Sequence, residues 1–129
     1  MTNTVTQRTL QGAGSDTTIV RLVHIASDGS EEADLVVYDN SAFVANVAKG
    51  KLLRVQIAGD AGVVRLEWDQ TADSAAFACS ADNGIDFDFT AFGGIANPNG
   101  TGATGDLVLT TNDLDAGDEV TLLLYISQE

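Results

Sequence analysis

The chain has one cysteine, one proline, one histidine and one tryptophan in 129 residues, and no lysine or arginine after Arg65. Each scarcity removes a class of chemistry. A lone Cys79 excludes an internal disulfide, and its place in the apolar run 75–79 predicts a small buried hydrophobe. One Cys and one His cannot supply the four ligands of a zinc site. A catalytic triad needs a base near a nucleophile. His24, the only imidazole, sits in a strand-like run between Val23 and Ile25, which predicts a partly buried or neighbour-contacting strand histidine. No Gly-x-Ser-x-Gly turn offers a nucleophile. No apolar run approaches the roughly 18–20 residues of a membrane span. No charged segment followed by an apolar run opens the sequence, so no secretory signal is expected.

What is present in excess is negative charge. Residues 66–129 carry twelve carboxylates and no Lys or Arg, a formal charge of −12. Residues 1–65 hold all six cations (Arg8, Arg21, Lys49, Lys51, Arg54, Arg65) against seven acids, giving −1 and a total of −13. Such a field repels nucleic acid and anionic lipid and favours a basic partner. The 44% hydrophobic content and 13 glycines suit a globular chain. Its length suits one domain that buries roughly two-thirds of the unfolded surface.

The apolar pattern has a period of two. Leu53, Val55 and Ile57 alternate with Arg54 and Gln56, and Val64, Leu66 and Trp68 alternate with Arg65 and Glu67. Ile85, Phe87 and Phe89 alternate with Asp86 and Asp88, and Val120, Leu122, Leu124 and Ile126 with Thr121, Leu123 and Tyr125. Each set places one strand face in a core. Runs 17–27, 34–39 and 107–111 complete the strands, and turns rich in Gly, Asp and Asn separate them. A short helix over 41–48 is the minority reading. Seven to nine short strands predict an all-β chain, an antiparallel β-sandwich that is jelly-roll-like, over residues 17–129. Residues 1–16, polar and threonine-rich, do not read as regular strand. They form a flexible N-terminal arm, either a frayed terminus or a segment that adds a strand to a neighbour. Residues 91–106, with Pro98 and five glycines, read as a long functional loop. Trp68 is expected to anchor the core; a binding-face role would require it to be exposed.

Other sites are weighed and mostly set aside. The segment 100–105 lacks the Lys-Ser/Thr ending of a phosphate loop and a following helix. Asp86, Asp88 and Glu67 could be drawn as glycosidase carboxylates, but sugar-stacking candidates are limited to Trp68, Tyr38 and Tyr125. No cofactor is expected, with calcium the best candidate. Its hard-oxygen ligands would come from Asp82, Asn83, Asp86 and Asp88, or from Asn112, Asp113, Asp115, Asp118 and Glu119. Neither cluster follows the EF-hand spacing, and solvated turns are the preferred reading.

Several segments carry a resemblance. Leu66-Glu67-Trp68-Asp69-Gln70-Thr71-Ala72-Asp73 resembles the L-x-W-D-x-T-A-D segment of small virion structural proteins of tailed bacteriophages. Asp86-Phe87-Asp88-Phe89 with Phe92-Gly93-Gly94-Ile95 is similar to their DF-x-x-FGG element. Asn97 through Thr111, including Thr104-Gly105-Asp106, resembles their N-x-x-G-x-G-x-TGD-x-x-x-TT segment. Ala116-Gly117-Asp118-Glu119-Val120-Thr121-Leu122-Leu123-Leu124 is similar to their closing strand. Ser27-Asp28-Gly29-Ser30-Glu31-Glu32 and Tyr38-Asp39-Asn40-Ser41 also fit. The likeness spans roughly residues 19–126 in order. It implies a virion structural role without enzymatic activity, and leaves the position in the particle open.

Charge narrows that choice, because a −13 protein is a poor lining for a DNA-filled shell. The expectation is therefore a capsid cement or decoration protein on the outer capsid surface, made in the host cytoplasm. Its partners would be the major capsid protein and itself, as a homotrimer, with no nucleic acid and no membrane. The expected contacts are Val5, Arg8 and Leu10 of the arm, Phe92, Ile95, Asn97 and Pro98 of the loop, and the cations Arg21 and Arg54. The alternatives are a neck or tail component, or a carbohydrate- or calcium-binding host-attachment module.

Overall fold

The computed structural model describes residues 3–11, 18–42, 50–60, 62–82, 84–98 and 100–127. The strands are β1 (Thr4–Gln11), β2 (Thr18–Ala26), β3 (Leu35–Tyr38), β4 (Lys51–Gly59), β5 (Val63–Trp68), β6 (Ser74–Ser80), β7 (Ile85–Asp88), β8 (Ile95–Ala96), β9 (Leu107–Asn112) and β10 (Glu119–Ser127). The chain is an antiparallel β-sandwich. Its larger sheet runs β1-β2-β10-β4-β7, with β8 also on β4, and its smaller sheet runs β3-β9-β5-β6.

Period-two alternation builds the core between the sheets. Ile19, Val23 and Ile25, Val55 and Ile57, and Val120, Leu122, Leu124 and Ile126 are buried from the larger sheet. Val64, Leu66, Trp68, Leu107 and Leu109 are buried from the smaller one. At about 25 cal/mol per Å² of apolar surface removed from water, each such side chain contributes roughly 1.5–3 kcal/mol before chain entropy is counted.

Four expectations are corrected. Leu53 was expected on the core face with Val55. The register between β10 and β4 instead shifts between Tyr125 and Ile126, so Leu52 pairs with Ile126 and is the buried residue. A bulge inserts one extra residue and so reverses the alternation beyond it. Residues 4–11, expected to lack regular strand, form β1 and pair with β2 from Thr4↔Ala26 to Gln11↔Val20. Threonine and valine favour the pleated backbone, and an edge strand tolerates polar side chains on both faces, which hid it. The loop 91–106 is shorter than expected, because a 3-10 turn covers Thr90–Phe92 and β8 covers Ile95–Ala96. Cys79 is only half-buried, on the edge strand β6. Of the helix considered over 41–48, a 3-10 turn at Asn40–Ala42 falls among the described residues, and 43–49 lie outside them.

Candidate interaction surfaces

Several of the segments that carry the resemblance meet at the two ends of the sandwich, where they hold one loop to another. At one end β5 runs out into Asp69, beside the segment that enters β9. Asp69 N–H donates to the Asp106 carbonyl (2.9 Å), and Thr104 N–H and hydroxyl donate to the Asp69 carbonyl (3.1 Å) and carboxylate (2.9 Å). Thr71 N–H donates to the Thr101 carbonyl, and Gly100 N–H to Gln70 Oε1. Asn40, 1% exposed, receives the Tyr38 hydroxyl on Oδ1 (3.0 Å) and donates its backbone N–H to Asp106 Oδ1 (2.8 Å).

At the opposite end Glu31 is the clasp. Its carboxylate accepts the Thr111 hydroxyl (2.9 Å) and the Leu114 N–H (3.0 Å), while Glu32 N–H donates to Thr111 Oγ1 (2.8 Å). Ser27 exchanges backbone bonds with Asp118 and Gly117. Most of these bonds join distant segments, and those to Glu31, Asp69 and Asp106 carboxylates are charge-assisted; they orient loops.

Burial raises the pKa of Asp106, with Asp39 and Asp69 adding to the shift. A carboxyl whose folded pKa lies above its unfolded value stabilises the fold at low pH and loses that contribution as pH rises through the folded pKa. Asp106→Asn keeps the oxygen that accepts Asn40 N–H and removes the charge. It is expected to raise Tm at neutral pH, with the gain vanishing below about pH 3.8, the ordinary value. Thermal melts of both proteins across pH check this.

The larger sheet has six strands, and its outer face carries side chains in rows. Register places Arg8, Leu22, Leu123, Gln56 and Asp86 in one row across it, and Val20, Tyr125, Arg54 and Asp88 in the next. Arg54 grips Asp86 with two bonds, one of 2.9 Å from Nε to Oδ1, and lies 5.5 Å from the Tyr125 ring centre. The Tyr125 hydroxyl donates to Gln56 Oε1 (2.8 Å). The pairing depresses the Asp86 pKa and raises that of Arg54. Beside this network, Gln56, Ala58, Gly84, Asp86, Thr121 and Leu123 line an open depression of about 290 Å³. His24 Nε2 lies 2.9 Å from Glu119 Oε1 on the same face.

The expected contact residues are scattered. Arg8 and Leu10 are exposed on β1, whereas Val5 is half-buried there. Arg21 points into the gap between the sheets, where it donates to the Val37 carbonyl (3.0 Å), Thr9 Oγ1 (2.9 Å) and Gln7 Oε1 (2.8 Å). Phe92 is 69% exposed and Pro98 is exposed. Ile95 is half-buried opposite Leu52. Asn97 is corrected from a surface contact to a buried residue, 7% exposed, whose N–H donates to the Gly50 carbonyl.

In the two acidic clusters weighed for calcium and read as solvated turns, three carboxylates take local bonds. Asp86 faces Arg54, Asp88 Oδ1 accepts the Thr90 N–H and hydroxyl, and Asp118 Oδ2 accepts the Asp115 N–H. Asn83 lies outside the described residues. The structure instead assembles a different acidic group, Asp34, Glu67 and Asp73, whose carboxylate oxygens lie within 4.8 Å of one another. These residues are too far apart in sequence for spacing to have found them. A comparison with known protein families finds no match to this chain, and a comparison with curated proteins finds none.

Proposed function

We propose that the chain is a structural protein of a tailed-bacteriophage virion, a cement or decoration protein that binds the outer capsid lattice and bridges major capsid subunits. The observation that carries this reading is the use to which the resembling segments are put. Trp68-Asp69, Thr104-Gly105-Asp106, Tyr38-Asp39-Asn40 and Ser27–Glu32 brace the loops at the two ends of a sandwich, which suits a part that must hold its shape under pressure. The order β2-β10-β4-β7 facing β3-β9-β5-β6 supports a jelly-roll wrapping, with β1 added at one edge. The −13 charge suits the outside of a DNA-filled shell and a basic patch on the lattice. Many copies, grouped as homotrimers, resist internal pressure through modest contacts made multivalent by the lattice.

The test is rebinding to capsids stripped of the protein, followed by light scattering. Stoichiometric rebinding is expected. A protein that ignores such capsids belongs to the neck or tail, or serves another role. The acidic group Asp34, Glu67 and Asp73 favours the second reading, a calcium-dependent attachment module. Ligand that binds only the native state raises Tm. Calcium is expected to leave Tm at the chelated value, and a rise of several degrees that Asp73→Asn abolishes would favour the attachment module.

A further inference from the structure

The sandwich has two open flanks of opposite character. On one, between β1 and β3, polar side chains bridge the sheets: Arg21 reaches the Val37 carbonyl and Gln7 Nε2 the Val36 carbonyl. On the other, between β6 and β7, the bridge is aromatic. Phe77 of β6 lies 4.8 Å from Phe87 of β7 and 5.4 Å from Phe89, ring centre to ring centre. Phe92, on the 3-10 turn that follows, lies 6.0 Å from Phe89 and is the most exposed large hydrophobe among the described residues.

The two strands framing this flank are both sheet edges. Edge strands present unpaired backbone groups, and proteins usually protect them with charge, proline or a cover. β6, Ser-Ala-Ala-Phe-Ala-Cys-Ser, has seven residues without charge or proline. In β7 the carboxylate of Asp86 is matched by Arg54, and that of Asp88, which accepts from Thr90, leaves the strand charged and so guarded where β6 is not. An unguarded neutral edge beside an exposed phenylalanine is a poor design for a permanently bare surface.

We infer that this flank, with β6 and Phe92 at its centre, is the surface through which copies of this chain associate with one another. Charge selects the occupant. Two molecules at −13 repel, so they approach best where each presents least charge, and β6 is such a place. A basic partner would instead be drawn to the carboxylate-bearing loops at the ends. Both copies present the same neutral strand, so β6 of one copy faces β6 of the other across a two-fold axis, an isologous contact. This deepens the self-association part of the proposed function and does not depend on capsid binding.

The test is the mass of the whole chain by light scattering over a range of concentration and salt. The wild type is expected at a small multiple of 13.4 kDa, with association strengthened as salt screens the repulsion. Two variants probe the flank. Phe92→Ser removes an exposed ring, and Ala78→Glu charges the neutral strand at an exposed position whose cross-strand partner is Arg65. Both are expected to keep the wild-type melting transition and to weaken association at least tenfold. Variants that fold and keep the wild-type mass would overturn the assignment while leaving self-association standing on another surface. A wild type that stays at one chain's mass at every concentration and salt would overturn it too, and capsid rebinding by that monomer would leave the proposed function intact.

Discussion

Trp68→Ala is expected to destabilise the protein by about 3–5 kcal/mol, lowering Tm by roughly 10–20 °C for a chain of this size. Trp68 ends β5 and is 0% exposed, with its ring packed so tightly beneath Gly50 that a Cβ there would lie 3.2 Å from Cη2 and Cζ3. Removing the indole leaves a cavity between the sheets at the end where Asp69 ties β5 to the segment before β9. Trp68→Phe separates two contributions. The indole Nε1 is buried with no hydrogen-bond partner among the described residues, which costs free energy in the wild type. Phenylalanine keeps most of the packing and removes that donor, so its loss should be much smaller than that of alanine. A Trp68→Ala melt within a degree or two of wild type would mean that the larger sheet collapses to fill the space.

Gly105→Ala is expected to cost about 2–4 kcal/mol, combining left-handed backbone strain with overpacking. Gly105 has φ +81°, and a Cβ on it would lie 2.6 Å from Nδ2 and 2.8 Å from Cγ of Asn40. Asn40 cannot move aside cheaply, because it is buried and holds both the Tyr38 hydroxyl and the Asp106 carboxylate. Gly93→Ala is the control. Its φ is +87°, but no atom of the described residues lies within 4 Å of the added carbon, so it should show the strain alone, about 1 kcal/mol. Chemical denaturation of the two variants beside wild type measures the difference, and equal losses would mean that Asn40 yields.

The pair also shows what the Thr-Gly-Asp segment is for. In sequence it reads as part of a glycine-rich loop. In the fold its glycine makes room for a buried asparagine 65 positions earlier, and its aspartate accepts that residue's N–H. No local pattern could reveal a partner so distant. The same limit explains Asn97, polar and set beside the only proline, yet buried under a bond to the Gly50 carbonyl. It explains Arg21 as well, a cation that composition assigned to a partner and that geometry turns inward between the sheets.

The sequence by itself determined the all-β class, the core faces of β5 and β10, the burial of Trp68 and the one-sided charge. Those properties are local or additive: alternation with period two, turn residues and a count of ionisable groups. Only the tertiary structure decided which strands are edges, that residues 4–11 join the larger sheet, that a bulge buries Leu52 and turns Leu53 aside, and that Asp34, Glu67 and Asp73 meet. These are outcomes of register and of packing between segments far apart in the chain, where a shift of one residue exchanges the buried face for the exposed one.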